Sequence, residues 1–316
     1  MKIATIGTSI ITRKFAAAVA LVPSLELAGA YSRSAERAAV FASEIGASEG
    51  FASLGKLFAS GVESVYVGTP NGTHGEIARV AIDAGVHVFL EKPAVPDSTH
   101  FEELVRRAED RDVVLFEGMR NVHDPGFKKL KSLLPRVGII RAASFQLCQR
   151  SSRYDTVLAS GKPNIFDPAL AGGALWDLGV YCLSAMVDLF GQPEDLSAAQ
   201  VPVPTGVDGI GRALLRYPGF IGEVCYSKIT ASSRPSEIQG ELGTLLIDSI
   251  TAPRHLTFEG NDGVREYFDI PGEANNLVYE IKRFTQLVEG ADASVDTART
   301  LAVLRLAEEI SGRTHQ

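Results

Sequence analysis

Apolar and polar positions follow two rhythms along the chain, and the change falls near residue 120. Before it, short aliphatic runs alternate with stretches of helical period. Strands are predicted at Lys2–Gly7, Leu25–Tyr31, Ser64–Gly68, His87–Leu90 and Val113–Phe116. Helices are predicted from about Thr12 to Val22, from the cap Ser34 to Gly46, and from the cap Ser53 to Gly61. A Thr73/Glu76 capping box opens a fourth helix that Gly85 ends, and a fifth begins at Ser98. Strands alternating with helices predict right-handed βαβ crossovers and a parallel sheet covered on both faces.

Beyond Arg120 the pattern changes. A helix at about Asp124–Leu134 leads into an alternating strand, Ile139–Leu147, and then a polar stretch, Gln149–Asp167. One long apolar helix, about Ala174–Phe190, is followed by strands between Gly209 and Ile270 with turn residues between them. Two helices, about Glu273–Val288 and Val295–Ile310, close the chain. The fold class is therefore an α/β domain, residues 1–119, followed by an α+β domain with an antiparallel sheet, residues 120–316.

Composition narrows the function classes. The chain has 316 residues, with 31 Lys+Arg against 38 Asp+Glu and a net charge of −7. That balance argues against a nucleic-acid partner, which needs clustered positive charge. No apolar run is expected to reach the ~20 residues of a membrane span, and the N-terminus reads as a strand rather than a secretion signal. Three cysteines, Cys148, Cys182 and Cys225, have neither CxxC nor metal-ligand spacing; buried thiols in the cytoplasm are expected. No metal is expected, and His123, His255 and His315 read as ordinary histidines.

The turn after the first strand carries Gly7-Thr8-Ser9-Ile10-Ile11-Thr12 where a dinucleotide fingerprint has G-x-G-x-x-G. The first glycine is present, and Ser9 and Thr12 replace the other two. A serine needs little more room than glycine, and its hydroxyl is expected to help the helix amides hold phosphate. The second strand ends in Tyr31-Ser32-Arg33, with Arg37 one helical turn on. An acid at this tip would accept from a ribose 2′-hydroxyl; a hydroxyl and two cations suit a 2′-phosphate instead. The predicted cofactor is NADP, with NAD the alternative.

Further along stand Thr69-Pro70-Asn71 with His74, then Glu91-Lys92-Pro93, then Gly172-Gly173-Ala174-Leu175-Trp176-Asp177-Leu178-Gly179-Val180-Tyr181. In this order the set resembles the glucose–fructose oxidoreductase / inositol dehydrogenase / MocA (Gfo/Idh/MocA) family, over essentially the whole chain. The resemblance implies a Rossmann domain and an open, mostly antiparallel sheet domain that often serves in dimerisation. It implies an NAD(P)-dependent oxidoreductase acting on sugars, cyclitols or related polyols, here as a homodimer or homotetramer. Tyr181 stands where many members carry histidine; in this it is similar to the glucose–fructose oxidoreductase and dimeric dihydrodiol dehydrogenase branch.

Lys92 follows the carboxyl end of a parallel strand, where open α/β sheets hold ligands. Its ammonium suits the negative charge that grows on oxygen during hydride transfer. A phenol titrates near ~10, so Tyr181 needs a neighbouring cation to exchange protons near neutrality, and Lys92 is the expected supplier. Asp177, four residues before Tyr181, is expected to orient the substrate or Lys92. Asn71 and His74 are expected at the cofactor, as are Thr69, Pro70 and Glu91. Arg153, Tyr154 and Asn164, in the polar stretch, are candidates for a polyhydroxylated small-molecule substrate. The alternative is a sensor that binds the dinucleotide without turnover, which has no reason to keep Lys92, Asp177 and Tyr181 together.

Overall fold

A computed structural model describes residues 1–312; His315 and the last four residues of the 120–316 range lie outside the described residues. Two compact units result, one of residues 1–118 with 273–301, the other of residues 119–272 with the rest.

The first unit is a six-stranded parallel sheet in the order β3-β2-β1-β4-β5-β6. Its strands are β1 (Lys2–Ile6), β2 (Glu26–Tyr31), β3 (Glu49–Phe51), β4 (Ser64–Val67), β5 (His87–Glu91) and β6 (Leu115–Gly118). The crossover helices are α1 (Ile10–Val19), α2 (Ala35–Ile45), α3 (Leu54–Ala59), α4 (His74–Asp83) and α5 (Ser98–Asp110). The strand order reverses between β1 and β4, and at such a switch point ligands bind beyond the strands' carboxyl ends. Ser34 and Ser53 cap as expected, each accepting a backbone N–H three residues on, and Gly46 ends α2 in the left-handed region.

The Thr73/Glu76 capping box does not form. Asn71–Thr73 is a turn of 3₁₀ helix, and the Thr73 hydroxyl donates to the Pro70 carbonyl while Glu76 pairs with Arg79. The sequence boundary after residue 119 falls beside the break at Gly118, but residues 273–301 return to the first unit. The reason is apolar. In α10 (Leu277–Val288), Leu277, Val278, Ile281, Phe284 and Leu287 join one core with Phe15, Tyr66, Phe89 and Phe116. The last helix, α11 (Ser294–Ile310), is shared between the units.

The second unit begins with α6 (Arg120–His123) and α7 (Pro125–Leu133) and holds an eight-stranded sheet among the described residues. Its strands are β7 (Ile140–Cys148), β8 (Asp195–Pro202), β9 (Asp208–Tyr217), β10 (Phe220–Ser227), β11 (Ser236–Gly240), β12 (Gly243–Ile247), β13 (His255–Gly260) and β14 (Arg265–Asp269). All neighbours are antiparallel except β7 and β10, which run parallel. The polar stretch contains α8 (Tyr154–Leu158) and short 3₁₀ turns. It is anchored by Val157 and Phe166 in a cluster with Val203 and Val207.

The predicted helix Ala174–Phe190 is split: Leu175–Gly179 is a π-turn, and α9 runs from Val180 to Phe190. Residues 168–190 are in fact long and apolar enough to cross a membrane, with a mean hydropathy of 1.4, contrary to the expectation of no such run. The stretch is 83% buried inside the protein, as a core helix is.

Candidate active site

In the first unit the turn after β1 is built around Gly7, whose φ of 112° favours glycine. A Cβ here would stand 2.7 Å from the Gly68 carbonyl oxygen. The close approach brings the turn against the end of β4. Ser9 is the N-cap of α1, its Oγ accepting from the Thr12 amide and lying 2.9 Å from Thr12 Oγ1 and 3.2 Å from the Gly68 oxygen. Ser9 is exposed and its hydroxyl caps α1, a local role it fills within the turn in addition to the phosphate contact expected of it. The opening amides of α1, at Ile10 and Ile11, have no carbonyl within the helix to bond. Ile10 is 68% exposed and Thr8 half-buried beside them. A glycine-held turn opening onto a ten-residue helix fits the pyrophosphate of a dinucleotide.

At the tip of β2, Ser32 is buried and Arg33 and Arg37 are exposed. Neither guanidinium makes an ion pair with any described residue. The tip thus presents two exposed guanidinium groups beside the Ser32 hydroxyl.

The segment after β5 is held from several sides. Tyr66 donates its phenolic proton to Glu91 Oε2 at 2.6 Å. The Ala94 amide donates to Glu117 Oε1 at 2.8 Å, and Thr300 donates to Glu117 Oε2 at 2.8 Å. Burial pushes the Glu117 carboxyl above its ordinary range, against these hydrogen bonds. Lys92 lies between Glu91 and Pro93, only 9% exposed, and the Lys92–Pro93 peptide is cis.

His74 departs from its expected place at the cofactor. It is fully buried, with Nδ1 3.0 Å from the Pro93 oxygen and 3.2 Å from that of Ala94, and Nε2 2.8 Å from the Thr69 oxygen. Desolvation lowers its pKa against those backbone contacts and the charge of Glu91. The ring ties the turn after β4 to the turn after β5 and offers no nitrogen to a ligand. Thr69, Pro70 and Asn71 stay half-buried above it, with Thr69 Oγ1 accepting from Thr73 at 2.7 Å.

In the second unit the Gly172-Gly173 pair has a steric origin. A Cβ on Gly172 would lie 2.6 Å from the Ile165 oxygen, and Gly173, at φ 126°, packs against Asp208. Asp208 Oδ2 accepts the Leu175 amide at 2.7 Å, pinning the start of the π-turn. Asp177, inside that turn, accepts a hydrogen bond from the ammonium of Lys228, which is buried just past β10. π-Turns interrupt α-helices most often at functional positions. Tyr181 follows in the first turn of α9, 5% exposed.

Of the substrate candidates, Arg153 and Asn164 are exposed and Tyr154 is half-buried, its ring 6.0 Å from that of Phe166. The Ser151 amide donates to the Lys228 carbonyl at 2.8 Å, which brings the start of this stretch to the Asp177–Lys228 pair.

Three residues escaped the sequence reading. Glu117 sits in an apolar strand, Lys228 in a strand-end run, and Arg120 at the first position of α6, with no motif spacing to mark them. Only the alternation of buried and polar residues at strand ends hints at the first two. Among the described residues no group of three His, Cys, Asp or Glu side chains is placed to hold a metal.

Residues 1–119 match the GFO/IDH/MocA oxidoreductase family with its NAD-binding Rossmann fold, and residues 129–246 match the GFO/IDH/MocA C-terminal domain. The chain is 39% identical over 290 residues to the scyllo-inositol 2-dehydrogenase (NADP(+)) IolU of Bacillus subtilis, covering 92% of this chain and 88% of that one. It is 27% identical over 299 residues to the trans-1,2-dihydrobenzene-1,2-diol dehydrogenase of Sus scrofa, covering 90% and 87%. Its fold matches the 3-ketoreductase KijD10 of Actinomadura kijaniata, crystallised with NADP and TDP-benzene, at a TM-score of 0.88. That likeness covers 99% of this chain and 97% of the other at 24% identity. With both domains matched in order, the chain belongs to the Gfo/Idh/MocA family of oxidoreductases.

Proposed function

We propose that the chain carries out NADP(H)-dependent hydride transfer at a hydroxyl or carbonyl carbon of a sugar, cyclitol or small diol. The observation that carries this is Lys92, a nine-tenths buried lysine at the carboxyl end of β5 whose flanking residues are tied to Tyr66, His74 and Glu117. Fixing an ammonium in this way is costly. A sensor that only binds a dinucleotide gains nothing from it, whereas an oxygen that becomes negative in a transition state does.

The Gly7 turn, with Thr8, Ile10 and Ile11, holds the pyrophosphate, and Ser32, Arg33 and Arg37 hold the 2′-phosphate. Thr69, Pro70, Asn71 and Glu91 border the cofactor. Bound NADP supplies the hydride acceptor. Tyr181 exchanges the hydroxyl proton, Lys92 stabilises the oxygen, and Asp177, held by Lys228, orients a substrate hydroxyl. Arg153, Tyr154 and Asn164 read the rest of the substrate. NADP is favoured over NAD by Ser32, Arg33 and Ser34 standing at the β2 tip where an acid would accept from a ribose hydroxyl, and the NADP(+) specificity in the name of the Bacillus relative agrees. A cyclic polyol or trans-diol is the substrate class favoured by the two named relatives.

A homodimer or homotetramer through the open sheet is supported by Val201, Leu214 and Ile221, more than half exposed on one face of β8, β9 and β10. Three free, buried cysteines are in keeping with a cytoplasmic setting.

A panel of inositols, trans-diols and aldoses assayed with NADP and NAD tests the proposal. It expects turnover on at least one cyclic polyol or diol, faster with NADP. NADPH binding without turnover on any member of the panel favours the sensor instead.

A further inference from the structure

The Tyr181 phenol needs a cation nearby to give up its proton near neutral pH, and its own unit contains one. The guanidinium of Arg120 lies over the Tyr181 ring, 5.4 Å from its centroid. The next residue, Asn121, is fully buried and donates from Nδ2 to the Tyr181 carbonyl oxygen at 3.1 Å. Two consecutive residues of α6 thus grip one tyrosine at its ring and at its backbone.

Arg120 is the cation that the second unit places over the ring, among these charges. Asp177, in the preceding π-turn, is a negative group that disfavours a phenolate, and Lys228, just past β10, pairs with Asp177. On β7, Arg141 pairs with Glu241 and Cys148 lies against Cys225 of β10. On β10, Glu223 pairs with Arg212. Asp188, two turns along α9, pairs with Lys131. His123 shares α6 with Arg120. A cation over an aromatic face is attracted to the ring, and more strongly to a ring that gains negative charge.

We propose that Arg120 is a positioning residue for the oxidoreductase chemistry: it fixes the Tyr181 ring and favours the ionised phenol, with Asn121 holding the backbone beneath. The proposal rests on Tyr181 as the proton-exchanging group. The deprotonated phenol accepts the proton of a substrate hydroxyl during oxidation, and the protonated phenol returns it to the oxygen during reduction. Arg120 changes the ease of that exchange without touching the hydride. It adds a cation within Tyr181's own unit to the role first assigned to Lys92.

The test follows the phenol directly. Protein carrying ¹³C at tyrosine Cζ gives one resonance for each of the eight tyrosines, and Y181F assigns that of Tyr181. R120M removes the charge at similar length, R120K keeps the charge, and R120Q replaces R120M if methionine prevents folding. The expected result is a Tyr181 midpoint about one pH unit higher in the neutral variant, with R120K close to the parent. The pH profile of kcat moves by the same amount, and kcat at neutral pH falls about tenfold while the KM for NADP stays put. An unmoved Tyr181 midpoint in the neutral variant overturns the proposal, even if turnover falls. If instead Y181F keeps full turnover, Tyr181 loses its proton role, while the midpoint comparison still decides whether Arg120 governs the ring.

Discussion

Lys92 and the Arg33/Arg37 pair place positive charge at the carboxyl edge of the same parallel sheet in opposite ways. Lys92 is nine-tenths buried, between segments tied down by Tyr66, His74 and Glu117. The two arginines are exposed at the tip of β2 and bound to no described carboxylate. The difference matches the two tasks assigned to them. A group that must meet charge only as it develops in a transition state gains from being fixed beforehand. A group that captures a preformed phosphate dianion can reach for it, and a guanidinium fork adapts at little cost.

The largest effect expected is at the fixed cation. Lys92→Met lowers kcat at least about 100-fold while NADPH fluorescence titration changes by no more than about threefold. Comparable losses in both would make Lys92 a binding cation like the arginines and dissolve the contrast. Next, Arg33→Ala with Arg37→Ala weakens NADPH about tenfold and leaves NADH within about twofold, read by the same titration. An equal loss for both nucleotides would remove the 2′-phosphate from this tip.

Smaller effects separate architecture from chemistry. Ser9→Ala removes the α1 cap and costs about 1 kcal/mol in urea unfolding, with kcat nearly unchanged. A large kcat loss with unchanged stability would put the phosphate contact of the Ser9 hydroxyl ahead of its cap. The least effect is the pH dependence of the clasp. Burial lowers the pKa of His74 in the folded protein, so its contribution to stability is present above the unfolded value of ~6.5 and is lost as pH falls through the folded value. Comparing urea midpoints of the parent and His74→Gln from neutral to mildly acidic pH should show a shallower acid loss in the variant. Glu117 acts with the opposite sign: its raised pKa contributes stability at low pH that is lost as pH rises. The difference between the two proteins cancels it.

The residues that were legible in the sequence are those whose signals are local. Ser34, Ser53 and Gly46 act within one helical turn, and each behaves as its residue type dictates. Gly7 and Gly172 are required by close backbone approaches, and Gly173 by its positive φ and the Asp208 carboxylate against it, all of which leave glycine as their trace. Thr73 misled because a 3₁₀ turn after Pro70 turned its hydroxyl to donate to the Pro70 carbonyl, and its oxygen caps no helix amide. His74 misled because a polar residue at a strand–helix junction looks like a ligand contact, whereas the fold uses it between two carbonyl-bearing turns. Lys228 and Arg120 were illegible for a different reason. Lys228 is 51 residues from Asp177, and Arg120 is separated in sequence from Tyr181 by α7, β7 and α8, so both pairings exist only once the fold does.

The most direct test of the central claim is the NADP-dependent oxidation of scyllo-inositol and a trans-diol, followed by the absorbance of the reduced cofactor, in the parent, Lys92→Met and Tyr181→Phe proteins. Turnover in the parent is expected, with at least about 100-fold loss in the lysine variant and at least about tenfold in the phenylalanine variant, all three still binding NADPH. Undiminished turnover in both variants would contradict the account.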